Sequence, residues 1–580
     1  MNFTADFETA VWLPDETFVW AWSICEIGNT ENLKVGNSIE EFFKVIELQK
    51  NSKYFFHNLK FDGSFLLNYL IDNGFTYVKD KKDRKDKTFT TIISDMGMFY
   101  QIEVYFKVYK KVCKMATFID SLKIIPFSVD KISEAFDLPI NKLRIDYTRP
   151  REREHILTTQ EIKYIKNDVK IVAMALDVLF REGLTRITSA SNSLYDYKET
   201  IGKNKFKDLF PVLPYEVDED LRPAYRGGFT YVNPIYKEKD VGEGCVLDVN
   251  SLYPSVLHDE LMPFGNPVFF EGEYEYDPVY PLYIQRIYVK FKIKKNKIPC
   301  IQIKNSMSFF DNEYIEDSGI EPVTLTLCNV DLELFKEQYD ISYIKYESGW
   351  KFKGMHGMFS KYIDKWIAVK IKATKEKNGG MRTLSKLMLN AIYGKFSASK
   401  KVQSKIPYKE DGLLLFDLGE EEKVNGVYLP IGIFTTAYGR SKTIRTSQAI
   451  KTYSLEKYGK DLYYYSDTDS IHTGLPIEEL TKFCDIDDVA LGKWKHESTF
   501  TRARFVRQKT YLEEIKGEIK ITCAGLPKEC YKYVDWDNFK QGFRCGGKLV
   551  FKQVKGGVIL VETDFTIKQD KTLVRNIKEF

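Results

Sequence analysis

The sequence predicts a multidomain protein of mixed class, combining α/β and α+β units. Three observations carry that expectation. At 580 residues the chain is longer than one hydrophobic core usually grows, so several units are expected. Strand-like and helix-like runs alternate along its whole length. Apolar strand runs end on acidic residues in two widely separated places, which points to two sites. Hydrophobic residues make up 43% and charged residues 29%, an ordinary balance for a globular chain. Aromatics reach 14%; a bulky core accounts for that, and platforms for stacking bases would use the same residues. The net charge of +4 is a weak global signal for nucleic acid, so local clusters matter more. Nine scattered Cys without a C-x-x-C pair, and only six His, argue against zinc and against a disulfide framework, and suit a reducing cytosol. Asp6 and Glu8 interrupt any apolar signal core, and no apolar run spans a bilayer. A soluble, cytoplasmic protein with no membrane contact is expected.

From the N-terminus, Phe3 to Glu8 reads as a strand. Residues two apart share a strand face, so Asp6 and Glu8 project together. Adjacent carboxylates repel and need a cation or a proton between them; a lone D-x-E also suits a solvent-facing strand end. After the apolar Tyr54-Phe55-Phe56 comes His57-Asn58-Leu59-Lys60-Phe61-Asp62-Gly63. There Asp62 reads either as a ligand or as the N-cap of a helix beginning near Gly63. Lys79 to Thr88 is a mixed-charge, solvated loop or hairpin tip. Thr158 to Glu161 forms a capping-box pattern, so Tyr164 and Asp168 lie at i and i+4 on one helix face. Asp218 to Pro223 reads as a linker.

A second acidic set follows. Val246 to Pro254 is an apolar strand running into Asp248, a turn and a proline. A carboxylate at the end of a buried strand is costly unless it is paired or metal-bound. Leu462 to Ile471 reads as strand, acidic turn, strand, with Asp467 and Asp469 in one tight turn. Between these acids, residues 361 to 400 contain ten Lys or Arg against Asp364 and Glu376. Arg382, Lys386, Asn390 and Tyr393 recur at helical steps, opposite Leu384, Leu387, Met388 and Ala391. A cationic stripe of this kind suits a triphosphate. Two stretches, about 260–357 and 399–430, read as irregular insertions.

In order and spacing these segments resemble family B DNA polymerases that carry a DEDDy 3′→5′ exonuclease. The resemblance implies an RNase H-like exonuclease domain, then a right hand of palm, fingers and thumb with two insertions. Asp6, Glu8, Asp62 and Asp168 would be the exonuclease carboxylates, each a metal ligand, with Tyr164 orienting the attacking water. Lys142 would assist catalysis. Asn58, Phe61, Ser121, Leu122 and Tyr147 would hold single-stranded DNA. Asp248, Asp467 and Asp469 resemble the polymerase acids of motifs A and C, with the Val249 carbonyl also on metal. Tyr253, Lys370, Arg382, Lys386, Asn390 and Tyr393 would bind the dNTP. Tyr225, Gly227 and Gly228 resemble the Y-x-G-G motif, Thr436 and Arg440 T-x-x-G-R, and Lys509 and Tyr511 K-x-Y; all would contact DNA. Two Mg²⁺ or Mn²⁺ ions per site are implied.

The first exonuclease motif lies close to the start of the chain, and the Asp248–Lys386 interval is long. In both respects the chain resembles the protein-primed polymerases of small tailed phages. That implies an exonuclease domain over 1–187 and palm over 188–260 and 431–535. Terminal-protein-region insertions would span 261–357 and 399–430, fingers 358–398 and thumb 536–580. Cys328 to Glu333 resembles that subgroup within the first insertion. Arg144 departs from its pattern, where an acid is expected. The implied partners are primer–template DNA, dNTPs, a terminal priming protein and a single-stranded-DNA-binding protein, with the polymerase a monomer. A DNA-primed polymerase is the alternative within the class. A dedicated nuclease and a silent DNA-binding scaffold are the alternatives outside it; clustered acids argue against the scaffold, because binding alone needs cations.

Overall fold

The fold is taken from a computed structural model, which describes residues 1–109, 112–147, 149–304 and 312–568. The N-terminal unit is built on an eight-stranded sheet. Asn2–Thr9 pairs parallel with Ser52–Phe56, which pairs parallel with Val112–Asp120. Parallel strands are covered on both faces; here the helices Leu59–Asp72 and Thr159–Arg181 are among those that pack on them. Thr158 and Glu161 form the reciprocal capping box at the start of the second helix. The first helix starts a turn earlier than its sequence suggests. Asn58 adopts a left-handed backbone (φ 80), and the Asp120 carboxylate accepts the Asn58 and Leu59 N–H groups at 3.1 and 3.3 Å. An acid distant in sequence thus caps the helix, and Asp62 falls inside its first turn.

Asp218–Pro223 is not a linker. Tyr215–Leu221 is a helix continued by a 3-10 turn, Arg222–Ala224, and the buried Asp218 pairs with Arg222 at 2.7 Å. Acid and base four residues apart meet on one helical face.

The second sheet has five antiparallel strands in the order Trp494–Phe500, Gly244–Val249, Ser470–Thr473, Tyr463–Asp467, Thr230–Val232. The 30-residue helix Leu429–Tyr458 packs against it. The basic run folds as two helices, Ser360–Lys375 and Gly379–Phe396, which pack on each other and on Ser189–Ile201.

Neither insertion stretch is irregular. The first holds a four-stranded antiparallel sheet of Met262–Glu271, Tyr339–Met355, Leu282–Ile293 and Val323–Cys328, with the helix Asn329–Gln338 packed on it; residues 305–311 of this stretch lie outside the described residues. The second contains the hairpin Lys405–Glu410 and Leu413–Leu418. Asp411 and Gly412 turn it with φ of 50 and 81, as a two-residue hairpin turn requires. Leu414 enters the N-terminal core, and Lys409 pairs with Asp72 at 2.7 Å. The C-terminal hairpin Arg544–Val554 and Gly557–Thr566 also touches the helix Leu59–Asp72. Residues 569–580 of the expected thumb lie outside the described residues. Cys530 and Cys545 are joined by a disulfide with Cα atoms 6.1 Å apart, against the expectation of a disulfide-free chain; the fold of this terminal unit, not their spacing, makes them neighbours. Among the described residues no helix is long and apolar enough to cross a membrane.

Candidate active sites

The first acidic set lines a cavity of about 560 Å³ in the N-terminal unit. Asp6 and Glu8 come from one strand, Asp62 from the first turn of its helix, and Asp168 from the middle of the long helix. Glu8, Asp62 and Asp168 are only 7%, 3% and 6% exposed. Burial, then repulsion from Asp168, pushes the Asp6 carboxyl up to about 7, with Lys142 opposing. Burial followed by the charge of Asp6 raises Glu8 and Asp62 well above the usual carboxylate range. Burial raises Asp168 too, against the pull of Lys142, whose Nζ lies 3.4 Å from its Oδ2. The Tyr164 hydroxyl donates to Asp168 at 3.4 Å and shares a hydrogen bond with Tyr147.

Among the described residues no three His, Cys, Asp or Glu side chains stand as a formed metal cage. The donor set nevertheless fits a hard cation. One oxygen each of Asp62 and Asp168 is buried without a hydrogen-bond partner, and an unpaired buried carboxylate oxygen is costly unless a cation or proton meets it.

Asn58 and Phe61 also line this cavity. Ser121 does not reach it: its side chain is fully buried, donating to the Phe56 carbonyl at 3.0 Å and lying 3.0 Å from His57 Nδ1. A direct strand contact through this hydroxyl is therefore corrected to a support for His57. The Leu122 N–H is capped by Asp120 at 3.0 Å. Arg144 is exposed and outside the cavity lining. Sequence reading missed Leu549, Phe551 and Leu560, which bring apolar side chains of the C-terminal hairpin into the cavity wall. The acids they face lie hundreds of residues away in sequence, so local spacing does not point to them.

The second acidic set sits at one end of the five-stranded sheet. Asp248 pairs across the sheet with Ser470, and the Val249 N–H donates to the Asp469 carbonyl at 2.8 Å. Thr468 turns the chain with φ 61, so Asp467 and Asp469 flank one tight bend. Asp467 accepts from Lys509 Nζ at 2.9 Å and from Thr230 at 3.2 Å. Burial, then the charges of Asp469 and Glu497, pushes Asp248 up to about 7, with Lys495 opposing. Burial also raises Asp469.

Tyr253 lies over Tyr393 with ring centroids 4.4 Å apart. Two glycines make room for it. A Cβ on Gly228 would stand 2.7 Å from Thr468 and 2.9 Å from the Tyr253 hydroxyl, and one on Gly439 would stand 3.0 Å from the Tyr253 ring. Tyr511 packs 5.2 Å from Tyr465, beneath the acidic turn. Arg382, Lys386 and Asn390 are exposed along one helix face that ends at half-buried Tyr393. Burial, then repulsion from Lys386, Lys495 and Arg382, lowers Lys370.

Two expected DNA contacts turn inward instead. Arg440 is 5% exposed. Its guanidinium pairs with Asp331 and donates to the Arg226 and Gly227 carbonyls at 2.8 and 2.7 Å. Thr436 is buried, its hydroxyl bonded to the Gly432 carbonyl at 3.0 Å. Arg440 thus ties Tyr225–Gly228 to the helix Asn329–Gln338 and acts on that loop from beneath. Lys495 and Glu497 were missed. They lie on the strand Trp494–Phe500, where Lys495 pairs opposite Asp248 and a register shift follows at Glu497; a bulge re-aims side chains, and sequence does not reveal one.

A family model described as DNA polymerase type B, organellar and viral, matches residues 46–158 and 145–479. The chain is similar to a DNA polymerase of Bacillus phage M2, 45% identical over 588 residues that cover 98% of this chain and 99% of that one. Its fold is similar to phi29 DNA polymerase complexed with primer–template DNA, with a TM-score of 0.91, 42% identity, and coverage of 98% of this chain and 100% of the other. Against the same polymerase with primer–template DNA and incoming nucleotides the TM-score is 0.90, with the same identity and coverage.

Proposed function

The chain belongs to the type B DNA polymerases of organelles and viruses, and on that footing we propose that its two acidic sites divide the work of copying DNA: the sheet-end site extends a primer and the N-terminal cavity trims it 3′→5′. The single observation that carries this is the bipolar second site: Lys495, set opposite Asp248 on the sheet, is felt at Lys370 together with Arg382 and Lys386 of the fingers. Acids alone would suit hydrolysis; acids opposite an array of cations suit a triphosphate whose charge must be neutralised.

Two divalent ions at each site, Mg²⁺ or Mn²⁺, would lower the pKa of the attacking oxygen and stabilise the leaving one. Asp248, the Val249 carbonyl and Asp469 would hold them in the palm, with Asp467 shaping the turn through Lys509. Asp6, Glu8, Asp62 and Asp168 would hold them in the cavity. The remaining chemistry belongs to the chain's own groups. Lys370, Arg382 and Lys386 neutralise the triphosphate; Asn390 and Tyr393 place the nucleotide. Tyr253, wedged between two glycines and Tyr393, excludes a ribose 2′-hydroxyl by bulk. Tyr225, Gly227 and Gly228 lie along the template, and Lys509 and Tyr511 along the primer. In the cavity the Tyr164 hydroxyl orients water and Lys142 steadies Asp168, while Asn58, Phe61, Leu122 and Tyr147 grip the frayed end.

The finer reading is a phage polymerase primed by a terminal protein. The first-insertion sheet supports it as a docking surface fastened to the palm through Asp331 and Arg440. The second-insertion hairpin and the C-terminal hairpin both reach the helix Leu59–Asp72, an arrangement suited to enclosing DNA during strand displacement. A single-stranded-DNA-binding protein would cover the displaced strand. The test is a 5′-labelled primer on a circular single-stranded template with Mg²⁺. Shortening without dNTPs and extension beyond one full circle with them support the reading; DNA binding without either reaction overturns it.

A further inference from the structure

Lys495 stands where the two halves of the second site meet. It faces Asp248 across antiparallel strands, and cross-strand partners share a sheet face about 5 Å apart. It is half-buried. Among the described residues no carboxylate stands at ion-pair distance from it, and the same holds for Lys370, Arg382 and Lys386. The field of Lys495 is nonetheless felt at Lys370, whose charged form it disfavours. Four cations from the strand Trp494–Phe500 and the two fingers helices therefore gather around one space, with Asp248 the acid set against them across the strands. Like charges gathered beside half-buried Lys370 and Lys495 raise the energy of the free protein, and a multiply charged anion relieves it.

We propose that Lys495 is a further phosphate-binding residue of the polymerase site, contacting the triphosphate and the departing pyrophosphate from the palm side. This assignment rests on the polymerase reading above. The fingers cations approach the phosphates from helices that pack on Ser189–Ile201, whereas Lys495 is anchored beside buried Trp494 on the sheet that carries Asp248. It would hold the phosphates against the acids rather than against the fingers. The rival role is a plain counter-ion for Asp248.

Single-nucleotide extension by the full chain separates the two roles. Lys495→Ala is expected to raise the KM for dNTP and to weaken inhibition by added pyrophosphate in parallel, each by about tenfold or more. Lys495→Arg should recover most of both, and trimming of single-stranded DNA should stay at the unmodified rate, which verifies folding. Unchanged dNTP KM and pyrophosphate inhibition would overturn the assignment. So would an effect confined to the Mg²⁺ concentration needed for activity, the signature of a counter-ion to Asp248. Absence of any extension by the unmodified chain would remove the polymerase reading and this assignment with it, whereas normal extension with an indifferent Lys495→Ala removes the assignment alone.

Discussion

The cavity of Asp6, Glu8, Asp62 and Asp168 and the sheet end of Asp248 and Asp469 are both acidic, but they handle their charge differently. In the cavity four carboxylates stand within apolar walls contributed by two parts of the chain, and Lys142 is the cation that opposes them. Negative charge accumulates there, and the carboxyls are driven toward the protonated state. At the sheet end Asp248 is raised as far as Asp6, but Lys495 opposes it from the next strand, Lys370, Arg382 and Lys386 gather near that lysine, and Asp467 is already paired with Lys509. The first arrangement stores a demand for cations alone. The second stores a demand for a cation and a polyanion together, which is the difference between hydrolysing a phosphodiester and forming one from a triphosphate.

The sharpest way to break this contrast is to remove one acid from each side. Asp248→Ala should reduce primer extension by roughly a thousandfold or more, because several kcal/mol of charge stabilisation is lost, and leave shortening intact. Asp168→Ala should do the converse. A gel assay with and without dNTPs reads both, and joint loss in either variant would mean that the sites are not separate.

A second comparison concerns what holds each site in place. The cavity acids rest on core strands and helices, whereas the loop beneath Tyr253 hangs on Arg440 and Asp331. Leaving Asp331 buried and unpaired in Arg440→Ala should cost about 3–5 kcal/mol of stability, measured by denaturant unfolding. A loss under about 1 kcal/mol, the range of exposed pairs, would show that this ion pair does not hold the loop. Gly228→Ala is a smaller perturbation: its Cβ collides with Thr468 and the Tyr253 hydroxyl. It should impair dNTP incorporation and ribonucleotide rejection while sparing trimming, measurable as incorporation of dNTP against rNTP.

The pH response is the most modest effect. Asp6 and Asp248 are raised to about 7 in the folded chain without metal, against about 3.9 when unfolded. Between those values the folded state holds protons that the unfolded state lacks, so metal-free stability falls as pH rises through that window. Mg²⁺ competes with the same protons. The rise in Tm on adding Mg²⁺ should therefore grow from about pH 5 to about pH 8; an equal rise at both ends would contradict the raised carboxyls.

Much of this was legible in one dimension because the chemistry is local. Asp467, Thr468 and Asp469 share a turn, Tyr164 and Asp168 share a helix face, and Arg382 to Tyr393 form a stripe whose period needs no tertiary information. Where reading failed, the deciding contact was distant in sequence. Asp120 caps the helix that carries Asp62. Asp331 draws Arg440 inward from an expected DNA contact. The first insertion stretch read as irregular because its strands pair with one another across long intervals.

Residue type, spacing and local periodicity were enough to determine which acids and cations carry charge and which belong together, since strand and helix periods place neighbours on common faces. Burial, and hence the state of those charges, was decided only by the tertiary structure. It is burial beside Asp168, carried in by a helix distant in sequence, that lifts the Asp6 carboxyl, and the strand register that sets Lys495 opposite Asp248. A charge's energy depends on everything packed around it, and that packing is assembled from residues hundreds of positions apart.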